Sequence, residues 1–215
     1  MDYLKHEEVY KKLKAEGHGG WGGKNYDKRV EGWVKAHPRF LEKMRHTQGK
    51  LLELGCGTGV LTQMLQEAGF EAGGIDVSET AIQWAREKAA DKGLDMEFRV
   101  GSVADPAMWV DRKYDVVVDG TCLHCIIGED RKTLLGLVYE SLTDRGTFIV
   151  SSTIAKSESD VAERVHNPHI SPLERCMRSE DQLRGELVEA GFEVIDEWVE
   201  EGQHKKHYYG VLEKK

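Results

Sequence analysis

A glycine-rich segment at residues 55–59 has the backbone best suited to hold a ligand. It reads G-C-G-T-G and lies between an apolar run at residues 50–54 and apolar residues that recur at helical spacing from Val60. Glycines let the chain turn tightly and approach a ligand without a Cβ in the way. Asp76 ends a second apolar run, 17 residues after Gly59, and a carboxylate there can accept hydrogen bonds from the hydroxyls of a ribose. The pattern predicts a strand–loop–helix unit that binds a nucleotide-like ligand.

The spacing of these glycines separates the loop from two other nucleotide-binding loops. A dinucleotide-binding loop has Gly or Ala three residues after its second glycine, and this chain has Val60 there. The chain also lacks the G-x-x-x-x-G-K-[ST] pattern of a phosphate-binding loop. The spacing, the preceding Glu53 and an added antiparallel strand resemble class I S-adenosylmethionine-dependent methyltransferases. The resemblance runs from about residue 50 to the C-terminus.

The resemblance implies S-adenosylmethionine as the cofactor and assigns roles to the matching positions of the first two strands. Glu53 and the loop around Cys56 would lie beside the methionine part of the cofactor, with Gly55 and Gly57 shaping the turn. Asp76 would bind the ribose.

Further implied contacts follow the second, third and fourth strands. Val77 lies where a side chain packs on the adenine, and Ser102 and Val103 match the position at the adenine edge. Many family members have an acidic residue in place of Ser102, so either the serine or the backbone amide of Val103 is left to make that contact. The loop from Asp119 to Leu123 matches the place where the methyl group meets its acceptor.

The segment at residues 119–127 also holds the candidate catalytic residue. His124 is a candidate general base for the acceptor because histidine titrates near neutral pH; the alternative is a histidine that packs or hydrogen-bonds at the strand end. Cys122 and Cys125 have C-x-x-C spacing, but no second ligand pair accompanies them. We therefore interpret them as small packing residues and expect no metal.

A second glycine-rich segment, residues 19–26, precedes the predicted sheet. Aromatic faces attract a sulfonium cation, so Tyr26 is a candidate for both cofactor contact and catalysis. Tyr26 could also contact the cofactor carboxylate, and Arg29 is the alternative residue for that contact. The alternative is a hinge between helices, with Trp21 and Trp33 as core anchors.

Residues 153–178 form a long link of about 26 residues, a length typical of a functional lid. Two prolines, Pro168 and Pro172, stiffen it. The alternative is a solvated polar loop. Several side chains of this link and of the C-terminal hairpin could gather over the cofactor and bind an anionic or metal-like acceptor. They are His166, His169, Arg175, Cys176, His204 and His207.

The order of elements predicts the fold. Strands and helices alternate five times, which favours a parallel sheet with helices on both faces, and two closing strands with a short link must pair antiparallel. The prediction is an α/β fold with a doubly wound, seven-stranded, mostly parallel sheet and one antiparallel strand at or near an edge. The predicted strands are 50–54, 70–75, 96–100, 114–118, 147–151, 192–199 and 207–213. The chain is interpreted as a single methyltransferase-like domain, 1–215, with an N-terminal helical cap (1–49), a cofactor-binding core (50–152), the lid (153–178) and a C-terminal helix with a β-hairpin (179–215).

Composition limits the partners. A net charge of −8 disfavours nucleic acid, and the sequence shows neither a signal-peptide core nor a membrane-spanning apolar stretch. Four cysteines in a chain of 215 residues do not suggest a disulfide framework, so we expect a cytoplasmic protein.

These observations favour methyl transfer to a small-molecule O, N or S acceptor. One alternative is intramolecular cleavage or cyclisation of S-adenosylmethionine without a separate acceptor, and another is a non-catalytic S-adenosylmethionine-binding module. A protein or nucleic-acid acceptor would call for a basic or extended recognition surface, which the sequence does not show.

Overall fold

The computed structural model describes residues 4–166, 174–202 and 206–215. Its helices are α1 (Leu4–Ala15), α2 (Tyr26–Lys43), α3 (Val60–Glu67), α4 (Glu79–Asp91), α5 (Glu129–Ser141) and α6 (Glu180–Glu189). Its strands are β1 (Gly49–Leu54), β2 (Phe70–Asp76), β3 (Glu97–Val100), β4 (Tyr114–Asp119), β5 (Leu142–Ile154), β6 (Ala162–His166), β7 (Glu174–Met177), β8 (Phe192–Glu201) and β9 (Lys206–Lys214). A short 3-10 helix at Leu123–Cys125 follows β4.

Seven strands form one sheet in the order β3-β2-β1-β4-β5-β9-β8. The pairs from β3 to β5 are parallel, and β9 runs antiparallel to both β5 and β8. The predicted α/β fold, with one antiparallel strand near an edge, is confirmed.

Both faces of the sheet are covered, as the apolar central strands require. Leu51 and Val116 belong to one core cluster, while their chain neighbours Leu52 and Val117 belong to another. Adjacent strand residues point to opposite faces, so the two clusters lie on the two sides of the sheet. Helices α2 and α3 contribute to the first cluster, and α5 and α6 to the second.

Local sequence signals set several boundaries. The Ser78 side chain accepts a hydrogen bond from the backbone N–H of Ala81 and caps α4. Ser179 and Gln182 form a capping box at the start of α6. β5 begins at Leu142 and runs through Ile154, beyond the predicted 147–151 at both ends.

The segment 153–178 contains regular structure that the sequence did not predict. β6 and β7 pair antiparallel as a separate two-stranded sheet. The backbone N–H of Ala155 donates to the carbonyl of Arg178 at 2.9 Å, which fastens the end of this hairpin beside β5. Asn167, Pro168, His169, Ser171, Pro172 and His204 lie outside the described residues.

The position of a ligand cleft follows from the strand order. The chain runs outward from β1 through β2 to β3, then returns to β4 on the other side of β1. Ligands of doubly wound sheets bind beyond the carboxyl ends of the strands at such a reversal. Among the described residues, no helix has both the length and the apolar character needed to cross a membrane.

Candidate active site

A cavity of about 540 Å³ lies at the carboxyl ends of β1 to β4. This volume is in the range of small-molecule sites. Residues from α1, α2 and the turn between them line one side, and β7 contributes to the wall. The cavity therefore lies where the strand order reverses, under a cover made by the N-terminal helices.

The loop after β1 lines the cavity with its backbone. Gly55 and Gly57 have φ values of 63° and 54°, in the left-handed region that side chains disfavour. A Cβ at Gly55 would lie 2.7 Å from the Cβ of Cys122, and one at Gly57 would overlap the hydroxyl of Tyr10. The loop therefore needs glycine at both positions, for its backbone conformation and for space.

Asp76, the last residue of β2, braces this loop. Its Oδ2 accepts a hydrogen bond from the backbone N–H of Gly57 at 2.9 Å, and its Oδ1 accepts one from that of Ser78 at 2.9 Å. Burial raises the pKa of Asp76 to about 6, although these hydrogen bonds oppose the shift. Each carboxylate oxygen has a second lone pair, so Asp76 can also accept hydrogen bonds from the hydroxyls of a ligand.

Glu53 is buried near the end of β1. Its Oε2 accepts a hydrogen bond from the hydroxyl of Thr62, and its Oε1 lies where a Cβ on Gly120 would be. Burial raises the pKa of Glu53 to about 8, and the charges of Asp76 and Asp119 add to the rise. A positively charged ligand group would favour its ionised form, so Glu53 suits contact with a cation.

Asp119, the last residue of β4, holds the turn that follows. Its Oδ1 accepts hydrogen bonds from the backbone N–H groups of Cys122 at 2.6 Å and Leu123 at 2.8 Å. Burial raises its pKa to about 7. Asp119 and Leu123 do not line the cavity, whereas His124, in the same turn, does. Asp119 therefore positions the turn.

Helix α1 is fastened over the site through Glu7. The carboxylate accepts hydrogen bonds from the hydroxyls of Ser78 and Thr80, each at 2.6 Å, and from the backbone N–H of Thr80 at 3.1 Å. Burial raises the pKa of Glu7, but the hydrogen bonds outweigh it and lower the value to about 2. Because Glu7 binds the first turn of α4, the buried Tyr10 is held over the glycine loop.

Three aromatic rings line the same side of the cavity. The ring of Trp21 stacks on that of His6, with centroids 5.7 Å apart, and lies 5.3 Å from that of Tyr10. Aromatic faces attract cations such as a sulfonium, so this wall suits a positively charged ligand.

Tyr26, the first residue of α2, lies under the glycine-rich turn. A Cβ on Gly19 or Gly20 would overlap its ring. Its hydroxyl accepts a hydrogen bond from Lys88 Nζ at 3.1 Å, and the same Nζ donates to the carbonyl of Gly19 at 2.5 Å and to Thr58 Oγ1 at 3.3 Å. Tyr26 lines the cavity as a side chain fixed by Lys88.

Two arginines line the cavity from different elements, Arg29 from α2 and Arg175 from β7. The Cδ of Arg29 lies 2.6 Å from the place of a Cβ on Gly22, so the glycine makes room for the arginine. Burial lowers the pKa of Arg29, and the positive charge of Arg175 lowers it further. Two arginine side chains therefore line one cavity and influence each other electrostatically.

His124 is buried and lines the cavity together with Cys122 and Cys125. Burial raises the pKa of Cys125 to about 11, so this thiol is neutral at physiological pH. Within the described ranges, no group of three or more His, Cys, Asp or Glu side chains is arranged to hold a metal ion.

The structure brings most of the predicted site residues to this cavity. Those that line it are Tyr26, Arg29, Glu53, Gly55, Cys56, Gly57, Asp76, Val77, Ser102, Val103 and His124. From the segment 153–178, Arg175 lines the cavity and Cys176 is buried away from it. The Nε2 of His207 instead lies 2.7 Å from the hydroxyl oxygen of Ser151. His166 has its backbone in β6, and His169 and His204 lie outside the described residues.

Sequence reasoning missed the contribution of α1. Tyr10 and His6 line the cavity and Glu7 fastens the helix. His6 and Tyr10 are four residues apart and so share a helix face. That spacing is a signal in the sequence, but nothing in it specifies that this face lies over the glycine loop.

The comparisons with known proteins identify the family of the chain. Residues 45–215 match a family model described as a methyltransferase domain. The fold is that of class I S-adenosylmethionine-dependent methyltransferases. The chain belongs to this methyltransferase domain family, and its cofactor is S-adenosylmethionine.

Relatives by sequence carry methyltransferase names. An uncharacterised methyltransferase of Staphylococcus carnosus is 27% identical over 176 residues, which cover 80% of this chain and 81% of that protein. The ubiquinone biosynthesis O-methyltransferase of Bordetella avium is 30% identical over 95 residues, which cover 42% of this chain and 38% of that protein. The chain thus matches less than half of the second relative's length.

Solved structures show the same fold. The magnesium protoporphyrin IX methyltransferase of Synechocystis PCC 6803, solved with bound S-adenosylhomocysteine, aligns with a TM-score of 0.71 at 19% identity, covering 100% of this chain and 97% of that one. The PH0226 protein of Pyrococcus horikoshii OT3 aligns with a TM-score of 0.70 at 22% identity, covering 90% of this chain and 93% of that one.

Proposed function

We propose that this methyltransferase acts on an oxygen, nitrogen or sulfur atom of a small molecule bound beside His124. The observation that carries the proposal is the covered cavity, whose lining runs from the glycine loop to His124 beneath α1 and α2. A covered cavity of about 540 Å³ suits a small acceptor. The net charge of −8 supports a partner other than nucleic acid.

The cofactor fits the residues that line this cavity. The ribose would be bound by Asp76 and the methionine part by the glycine loop and Glu53, whose buried carboxyl suits the ammonium group. Arg29 would bind the carboxylate, since its guanidinium faces the same space. Tyr26 would shape this end of the site rather than exchange a proton, because its hydroxyl is held by Lys88.

The adenine end of the site follows β2 and β3. Val77 would pack on the base, while Ser102 and Val103 would lie at its edge. The Ser102 side chain accepts a hydrogen bond from the backbone N–H of Ala104 at 3.2 Å, which fixes the loop at this position.

S-Adenosylmethionine supplies an already activated methyl group, so the protein's task is to align the acceptor, exclude water and take up a proton. His124 is placed for the last of these, as a buried imidazole in the cavity wall. The buried Asp119 holds the turn that carries it. Helices α1 and α2 limit the access of water from above.

Four free cysteines, two of them buried, support a reducing compartment such as the cytoplasm. The packing of α2 residues into the core of the sheet supports a single domain in which residues 1–49 act as a cap.

A product analysis with three arms tests the proposal. Purified protein is incubated with methyl-labelled S-adenosylmethionine alone, with pooled small-molecule hydroxyl, amine and thiol compounds, or with protein and nucleic-acid fractions. Label in a small molecule is the expected result. Methylthioadenosine in the first arm would instead indicate intramolecular cleavage, and label confined to macromolecules would contradict a small acceptor.

A further inference from the structure

Arg175 lies on the acceptor side of the cavity. Its strand, β7, packs beside the turn Leu123–Cys125 that carries His124, and its side chain lines the cavity. The charge of Arg175 acts on the thiol of Cys125 more strongly than that of Arg29 does. Arg29 interacts electrostatically with both Tyr10 and Arg175. Of the two arginines, Arg175 is the one whose strand packs beside the turn that carries His124.

The guanidinium of Arg175 has a donor for which the described part of the chain offers no acceptor. Its Nε is buried and has no hydrogen-bond partner among residues 4–166, 174–202 and 206–215. Neighbouring arginines are paired: Arg131 Nε lies 2.8 Å and Arg178 Nε 2.5 Å from the carboxylate of Glu186. A buried donor without an acceptor is costly. Arg175 is thus a cavity-lining cation whose Nε donor could be satisfied by a ligand.

In the proposed complex, S-adenosylmethionine has no second anionic group that could pair with Arg175. S-Adenosylmethionine has one carboxylate, and the proposed function assigns it to Arg29. We infer that Arg175 binds a carboxylate of the methyl acceptor, so that the substrates are small carboxylic acids. The inference rests on the proposed function, because it needs a small acceptor in this cavity. One positive charge matches a carboxylate better than a phosphate monoester, which carries about −1.5 to −2 at pH 7.

Part of the cavity lining is apolar. Val30 and Trp33 of α2 contribute to it, as does Ile126, which lies next to the turn with His124. An arginine amid apolar walls favours a ligand with an apolar or aromatic body and one anionic end. Benzoate and its neutral isostere benzamide are therefore matched probes.

Titration calorimetry on the complex with S-adenosylhomocysteine tests the assignment. We expect benzoate to bind this complex and benzamide to bind at least ~10-fold more weakly, the scale of a charge-assisted hydrogen bond. Arg175→Gln should weaken benzoate by ~10-fold or more while leaving the affinity for S-adenosylhomocysteine within ~2-fold. Arg29→Gln should instead weaken S-adenosylhomocysteine. Arg164→Gln is the matched control, since Arg164 pairs with Glu174 on the exposed side of the same hairpin.

Two results would overturn the assignment. One is equal binding of benzoate by Arg175→Gln and the unaltered protein. The other is a loss of S-adenosylhomocysteine affinity in Arg175→Gln as large as that in Arg29→Gln, which would make Arg175 a cofactor contact. Arg175→Lys keeps the charge without the fork, and intermediate benzoate binding by it supports the assignment if Arg175→Gln fails to fold.

The outcome is distinguishable from failure of the proposed function. If benzoate binding depends on Arg175 but label enters only macromolecules, the small acceptor is wrong and the anion site stands. If a neutral small molecule is methylated and benzoate does not bind, the small acceptor stands and the carboxylate is wrong.

Discussion

The hydroxyl of Tyr10 lies against the bare Cα of Gly57, at the point where a Cβ on that residue would be. The contact joins helix α1 to the cofactor loop across 47 residues of sequence. Gly57 also donates its N–H to Asp76. One small residue therefore connects helix α1, the glycine loop and Asp76, the proposed ribose-binding acid.

Gly57→Ala should damage both folding and cofactor binding. The added methyl group would overlap the Tyr10 hydroxyl, and the left-handed backbone at 57 would cost a further ~1–2 kcal/mol. We expect a lower unfolding midpoint and an affinity for S-adenosylhomocysteine at least ~10-fold weaker, measured by thermal denaturation and calorimetry.

Gly32→Ala is the control for that variant. Gly32 lies inside α2 with nothing within 4 Å of an added Cβ, so alanine should stabilise the helix by up to ~1 kcal/mol. Unchanged cofactor affinity in both variants would show that the approach of Tyr10 to the loop does not matter for binding.

Glu7→Gln should loosen helix α1. The carboxylate accepts three hydrogen bonds at the N-terminus of α4, where a negative charge is also favourable, and we expect a loss of ~1–2 kcal/mol in the free energy of unfolding. Glu7 has a lowered pKa of about 2. Its contribution is therefore present above its unfolded pKa and is lost as the pH falls through 2.

Denaturant unfolding at pH 7 and pH 2 checks this sign. The difference in the free energy of unfolding between the unaltered protein and Glu7→Gln should be smaller at pH 2 than at pH 7. Glu8→Gln, at the exposed neighbouring position, should show no difference at either pH. A Glu7→Gln protein as stable as the unaltered one at pH 7 would mean that α1 is held by other contacts.

The sheet could be predicted from the sequence because its signals are local. Each strand of the core is a short apolar run, and the glycine loop with Asp76 sets the first two strands in register. The β6–β7 hairpin could not be predicted, since strands such as β6 (Ala162–His166) are polar and alternate weakly. Their pairing depends on contacts with the rest of the fold.

The candidate site divides along the same line. Residues that follow a strand, such as Gly57, Asp76 and His124, could be placed because the carboxyl ends of parallel strands share one edge. Tyr10 and Glu7 could not, because their role depends on how α1 packs against α4. Arg175 is a candidate from the sequence because it lies in the long link 153–178, and only the structure shows that it lines the cavity.

Cofactor binding should strengthen as the pH rises from about 5 to 8. Burial raises the pKa values of Asp76 to about 6 and Glu53 to about 8. In the proposed complex, ionised Asp76 accepts hydrogen bonds from the ribose hydroxyls, and ionised Glu53 attracts the ammonium group. Because binding favours the ionised form of each carboxyl group, it releases protons. Isothermal titration of S-adenosylhomocysteine at several pH values should give a dissociation constant that falls across this window.

The same shifts have a stability consequence with a definite sign. A carboxyl group whose folded pKa is raised contributes stability below its unfolded value near 4, and this is lost as the pH rises through 6 and 8. The increase in unfolding midpoint on adding S-adenosylhomocysteine should therefore grow with pH. Asp76→Asn should flatten the pH dependence between 5 and 7 and weaken binding by ~1–3 kcal/mol; a full pH dependence in that variant would remove Asp76 from the explanation.

His124→Asn should separate catalysis from binding. The side chain lies in the cavity wall, where the acceptor is proposed to bind, so its loss should lower kcat by ~10²-fold or more for an acceptor that must lose a proton. The affinity for S-adenosylhomocysteine should stay within ~2-fold, because the glycine loop and Asp76 are unchanged. If His124 acts as the general base, the pH profile of kcat for His124→Asn should also lose its acidic limb, because only a neutral imidazole takes up a proton.

His46→Asn is the matched control. His46 precedes β1, at the edge of the sheet opposite the cavity, and its substitution should leave kcat and its pH profile unaltered. If His124→Asn lowers stability and kcat together but keeps the acidic limb, His124 supports the turn by packing, and proton removal falls to solvent or to the acceptor itself.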